Sequence, residues 1–434
     1  MVAVTLRSIA VVMLSKYHRH FVAGTLVLAV LLIGMAESVF AMSFRPAITI
    51  LFIYYLGISL ASRRPVITQG TLLYLFFLVV FTCIFYIAGS KNNLIIHLLT
   101  ICFSVALLYT VMLTLRLDVA ATWRYVRVFW MVIFFTLAAE LLLVFFGYQD
   151  LLSDFFPESN MAYGFPAYRF LHNSFTSYFN LDFAGLNSIS LGAQAYGQFC
   201  VMLTILGFSF TGKTIQRGRL VHCFWFLLVP LVMYSISPNT TAGVMYVFII
   251  GYVLLIKYYI GDYSAPKFLL LSGIAIIAVL FYYIVNFGFV RTYRSDELFD
   301  LFVGTQLEYI LTRTPSDYFL GVGLSEYYDA APNFEIAYLS YLSVSGLLFG
   351  LVNLFLLLQF SYQSLRQIKL AYVAGSDRDT VEVQAANLLF VLSMFLSSIH
   401  FPVITYYLGS AIFIFHLAFG MYIIKMKSVL ARQD

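Results

Sequence analysis

The chain has 434 residues, of which 62% are hydrophobic and only 10% charged, with a formal net charge of +5. A soluble domain carries roughly a quarter charged and half apolar residues, so this chain cannot cover a water-solvated core with its own polar surface. The small basic excess is dispersed along the chain and gives no nucleic-acid signature.

With lipid as solvent, every backbone polar group must be satisfied within the chain, which leaves helices or a closed barrel. Barrel strands alternate apolar and polar residues over about ten positions. Here the apolar runs are continuous from Phe21 onward, so the expected fold is an all-α polytopic bundle, a single integral membrane domain over 1–434. The first run follows a basic segment and contains Val39-Phe40-Ala41, which resembles a signal-cleavage site. It is long for a signal sequence, and a retained first helix is expected. In chain order the runs predict spans near 21–42, 46–61, 71–89, 94–116, 125–147, 185–210, 219–236, 241–259, 267–288, 333–362, 385–401 and 403–424. That is about twelve transmembrane helices, with no internal repeat. Cys83, Cys102, Cys200 and Cys223 all fall inside apolar runs without metal-ligand spacing, and read as small buried residues.

Orientation follows from the basic residues. With the N-terminus in the cytoplasm, nineteen Lys and Arg fall on that side, and only Arg45, Lys91, Arg169, Arg291, Arg294 and Arg313 on the other. This positive-inside bias places both termini in the cytoplasm. Two connections on the outer side are long, 148–184 and 289–332, and they hold four of those six outer cations. Long loops in compact proteins commonly carry the site.

The first long loop has one strong cation, Arg169, flanked by Tyr168 and followed by His172 among many aromatics. Two readings stand side by side: an interfacial aromatic belt, or a sugar-stacking platform around a phosphate-binding cation. The second loop carries Arg291, Arg294 and Arg313. A guanidinium grips phosphate oxygens in a planar fork; the alternative is pairing with Asp296, Glu297, Asp300 or Glu308. No zinc spacing, nucleophile elbow, Walker loop or dinucleotide fingerprint is present. Glu37 and Glu140 fall near span ends, so ionisable residues at mid-membrane are too few for a typical proton-coupled transporter. His400 and His416 are expected to be packing residues.

The stretch Tyr318-Phe319-Leu320-Gly321-Val322-Gly323-Leu324, followed by the helix from Glu335 to Gly350, resembles the O-antigen ligase and polymerase superfamily. Gly346 and Gly350 loosely fit the glycine pair of that family's helix after the large loop. Asn187 to Gly192 is similar to its span after the first large loop, and Ser235 to Thr241 resembles an S-x-S-R-T turn without its arginine. Ligases of the superfamily carry histidine where this chain has Glu335, so the resemblance points to a Wzy-type repeat-unit polymerase, with a ligase or related transferase, and then a flippase or transporter, as alternatives.

The resemblance implies a GT-C-like, metal-independent fold with two large extracytoplasmic loops in a bacterial inner membrane, and no cofactor. The implied partners are an undecaprenyl-pyrophosphate-linked glycan donor and acceptor, membrane lipid, and a chain-length-regulating copolymerase; nucleic acid is not one of them. On this reading Arg169 and Arg291 are catalytic cations and Glu335 is a base or acceptor-orienting carboxylate. Arg294, Arg313, His172 and Tyr168 bind substrate. For Glu335 the competing reading is a helix N-terminal acid that suits the dipole.

Overall fold

A computed structural model of the chain describes residues 20–21, 23–31, 53, 56–57, 66–87, 93–145, 192–206, 228–236, 240–260, 319–321, 337–373, 378–397 and 407–430. Among these the regular structure is entirely helical. Nine helices follow in order: α1 (Gln69–Ile87), α2 (Asn93–Leu115), α3 (Val119–Phe145), α4 (Gly192–Leu203), α5 (Val229–Ile236), α6 (Thr240–Ile260), α7 (Ala337–Val373), α8 (Arg378–Ser397) and α9 (Tyr407–Leu430). Six helices among the described residues are long and apolar enough to cross a membrane. The protein is an all-α membrane protein. The expected span at 267–288 lies outside the described residues, and those at 21–42 and 46–61 are described only in part.

Local chemistry sets the helix ends. Thr68 caps α1: its hydroxyl accepts from the Thr71 amide at 3.1 Å, supplying one of the acceptors the first turn lacks. Asp118 does the same for α3, accepting from the Ala121 amide at 2.8 Å. Between α2 and α3 the chain turns through Arg116 at φ 51, and the Leu117 amide reaches back to the Met112 carbonyl at 3.4 Å. This is a left-handed cap of the kind usually built on glycine. The turn is pinned from α9, where the Tyr422 hydroxyl donates to the Leu117 carbonyl at 2.5 Å.

From Val383 to Met394 every residue of α8 is buried, including Gln384, Asn387 and Ser393. A helix covered all round belongs at the centre of a bundle, and α8 packs against α9, α7, α6, α3 and α4. Around it one large core joins the stretch 23–31, α2, α3, α4, α6, α8 and α9. A smaller core holds α1 to α2 and α7 through Leu78, Phe81, Phe85, Leu99 and Phe349.

Cross-helix contacts fix relative direction. Tyr74 meets Asn353, and Phe81 and Phe85 meet Phe349, so α1 and α7 run antiparallel. Arg127 lies beside Glu382 and Trp130 stacks on Phe390, so α3 and α8 run parallel. Tyr422 on Leu117, Gln384 on Ser364 and Lys369 over Tyr259 bring the remaining ends together. Every Lys and Arg among the described residues (Arg116, Arg124, Arg127, Lys257, Arg366, Lys369, Arg378, Lys425 and Lys427) sits toward that one end of the bundle.

Four expected boundaries differ. Helix α3 begins at Val119 rather than near 125, α7 runs on to Val373 rather than stopping near 362, α8 begins at Arg378 rather than near 385, and α9 runs on to Leu430 rather than stopping near 424. After a break at Gly346, the 27 residues 347–373 span about 40 Å at 1.5 Å per residue, against about 30 Å of hydrocarbon. The surplus end packs on α8, where Ile368 is buried and Gln384 donates to Ser364 at 2.8 Å. A hydropathy window stops at Arg366, whereas the helix does not.

Candidate functional site

Tyr168, Arg169, His172, Arg291, Arg294, Arg313 and Glu335 all lie outside the described residues. What the structure describes is the framework against which the second long loop ends, and that framework is unusual.

Helix α7 is broken at Gly346, which has φ 75 and ψ 161 inside an otherwise helical run. This conformation is essentially restricted to glycine and persists only where surroundings enforce it. The enforcing partner is the backbone of Phe319, Leu320 and Gly321. A Cβ at Gly346 would lie 2.6 Å from the Phe319 carbonyl oxygen and 2.5 Å from the Leu320 carbonyl carbon, and would also collide with the Gly321 nitrogen. Gly321 is itself left-handed, at φ 84. Two glycines with positive φ therefore let two backbones touch where side chains would hold them apart.

The break occurs three residues before Phe349, which packs against Phe81 and Phe85 toward the end of α1. It is thus at the end of the bundle opposite the gathered basic residues. Below it, Asn353 ties α7 to α1 and α2. Its amide oxygen accepts from the Tyr74 hydroxyl at 2.7 Å and faces the Cys102 thiol at 3.6 Å, while its amide nitrogen donates to the Phe349 carbonyl at 2.9 Å. The half-helix after the break is therefore held firmly, and the half before it takes its direction from Gly346.

A second polar group lies at the bundle centre. The Trp130 indole donates to His416 Nε2 at 3.3 Å, and His416 Nδ1 is 2.7 Å from Asn387 Oδ1. Because Nε2 accepts, Nδ1 carries the proton and donates to the Asn387 carbonyl oxygen. The Asn387 amide nitrogen in turn donates to the Val383 carbonyl at 2.9 Å. His416 is completely buried and stacks on Phe390 with ring centroids 4.3 Å apart. Both ring nitrogens are occupied, so the imidazole ties α3, α8 and α9 together and has no lone pair left for substrate. This fits the packing role expected from sequence; His400 is outside the described residues. Cys83, Cys102 and Cys200 form no disulfide, and Cys223 is outside the described residues.

The fold defines the class of protein: a helical membrane bundle with one basic end and a glycine-made backbone junction at the other. The sequence matches no protein-family model and no characterised protein of curated sequence.

Proposed function

We propose that this protein is a Wzy-type polysaccharide polymerase of the bacterial inner membrane. It joins undecaprenyl-pyrophosphate-linked repeat units at the outer face through a GT-C-like bundle of about twelve spans with both termini in the cytoplasm. The observation that carries the reading is the junction at Gly346. Residues 319–321 and Gly346, which belong to the two stretches on which the superfamily resemblance rests, Tyr318 to Leu324 and Glu335 to Gly350, meet there backbone to backbone. The basic residues at the opposite end support the orientation, since cytoplasmic ends collect Lys and Arg.

The donor sugar is already activated by its pyrophosphate, so no nucleotide is needed, and the superfamily resemblance implies no metal. An acceptor hydroxyl oxygen attacks the anomeric carbon of the donor chain and a new glycosidic bond forms. The bond from that carbon to the pyrophosphate oxygen breaks, and the electron pair leaves with the pyrophosphate. Glu335 takes the hydroxyl proton as general base. Negative charge builds on the leaving group, where Arg169 and Arg291 stabilise it most. Arg294, Arg313, His172 and Tyr168 hold the glycan and the second phosphate, and a copolymerase sets chain length.

Complementation of a polymerase-deficient strain tests this. Arg169→Ala and Arg291→Ala are each expected to reduce the long-chain ladder to single-repeat products. A full-length ladder from both variants rules out the site. Accumulation of long polymer still bound to the carrier lipid would instead favour the ligase reading, for which Glu335 is the wrong residue. Labelling of both long loops from the cytoplasm would favour a flippase.

A further inference from the structure

We propose that α6 and α7 form a binding site for an anionic phospholipid of the leaflet at the basic end of the bundle. Arg366 and Lys369 hold its phosphate, and its acyl chains lie along Leu255, Leu358 and Tyr362. The site stands apart from the polymerase reading, since every residue in it belongs to α6 or α7.

Helical rise puts the two cations at headgroup depth. Counted from the break at Gly346 at 1.5 Å per residue, Arg366 and Lys369 stand about 30 and 35 Å further along the helix. The hydrocarbon of a bilayer is about 30 Å thick. A break at one boundary therefore brings both cations to the phosphates of the opposite leaflet. Leu358, Tyr362, Arg366 and Lys369 follow one another at three- and four-residue spacing, which sets them on one helix face. All four are exposed. The Lys369 ammonium lies over the Tyr259 ring, 4.4 Å from its centroid, which draws the cation to the seam between α7 and α6. A cation resting on an aromatic face keeps its outward N–H groups for an anion. On α6, Leu255 is one turn before Tyr259 and is exposed as well. An apolar wall thus continues from the charged mouth toward the middle of the membrane.

Charge selects the occupant. Neither α6 nor the stretch 347–373 carries an Asp or Glu. Among the described residues neither Arg366 nor Lys369 has an ion-pair partner, whereas Arg127 lies 3.9 Å from Glu382. The Arg366 fork suits two phosphate oxygens and Lys369 a third. A zwitterionic headgroup brings a cation of its own to this mouth, and a net-anionic one does not. Basic pockets between helices at this depth suit such headgroups.

The test uses the full-length protein in detergent, with thermal unfolding followed as lipid is added. The probes are phosphatidylglycerol, phosphatidylcholine with the same acyl chains, and inorganic phosphate. Two cations at the headgroup imply a preference for phosphatidylglycerol over phosphatidylcholine of roughly tenfold or more in apparent affinity. Inorganic phosphate should leave the melting temperature unchanged, since it has no chains to lie on Leu255 and Leu358. Arg366→Gln combined with Lys369→Gln is expected to bring the preference to within about threefold. The charge-matched pair Arg116→Gln and Arg124→Gln, at exposed positions around the α2–α3 turn, should keep it. Equal affinity for the two lipids, an equal shift with phosphate, a full preference in the α7 double variant or its loss in the α2–α3 pair overturns the site. If the α7 double variant does not fold, labelling of the wild-type protein decides. A photoactivatable phosphatidylglycerol with its reactive group on an acyl chain should label α6 and the stretch 347–373. Phosphatidylglycerol should compete with it and phosphatidylcholine should not. Label confined to other helices, or competed equally by both lipids, overturns the site as well.

Discussion

Arg116 and His416 illustrate how single residues are bound by their surroundings. A non-glycine residue at φ 51 is strained, but a cation at a helix C-terminus is favoured by about 0.3–1 kcal/mol. The two effects are comparable. Arg116→Gly is expected to stay within about 1 kcal/mol of the parent, whereas Arg116→Val, β-branched at positive φ, should lower the melting temperature in detergent. For His416 the accounting is by hydrogen bonds. Asn387→Leu leaves the Nδ1–H buried without an acceptor, a cost of about 1–3 kcal/mol. Adding His416→Phe removes the orphaned donor. The double variant should therefore lose less stability than the sum of the two single changes, a coupling that a double-mutant cycle of thermal unfolding reads directly. The packing role of His416 was expected from the sequence, but its partners were not legible there. The sequence places a histidine in an apolar run and cannot say that an indole and an amide from two other helices occupy its nitrogens.

At the scale of elements, glycine decides how closely helices approach. At Gly420 a Cβ would press on the Phe360 ring at 2.7 Å, where α9 crosses α7. Small residues allow such close crossings in membranes. Gly420→Leu is expected to overpack this crossing and destabilise by about 1–3 kcal/mol. Gly251, in the middle of α6, has open space around it. Gly251→Ala should be neutral or raise the melting temperature, by up to about 1 kcal/mol of helix propensity. An outcome in the reverse order would contradict the packing described for α6 and α9. Helix existence was readable from the apolar runs, and the predicted α1, α2 and α6 agree with the structure to within about two residues. Helix length was not readable where α3, α7 and α8 continue past the hydrocarbon. Their charged turns look like loops to a hydropathy window but remain helical because α3 and α7 each pack on α8 there.

For the whole molecule, the gathered basic end makes a directional prediction. Cysteines introduced singly at Ser174 and Ser295, in the two long loops, should react with a membrane-impermeant thiol reagent only from the outer face. One at Arg378, beside the α7–α8 connection, should react only from the cytoplasm. Reaction of Ser174→Cys or Ser295→Cys from the cytoplasm would invert the topology and remove the outer-face chemistry with it.

Composition alone determined that this chain lives in lipid as helices, because so few charged residues cannot clothe a core and unpaired backbone cannot cross hydrocarbon. The distribution of Lys and Arg determined an expected orientation, and two long loops with their arginines gave the place to look for chemistry. Only the tertiary structure decided that Gly321 and Gly346 touch. A motif gives the residue types along one chain, whereas a backbone-to-backbone contact depends on how two distant segments are brought together. The same holds for the centre of the bundle, where His416 was already expected to pack but only the fold decided that Trp130 and Asn387 occupy its two ring nitrogens.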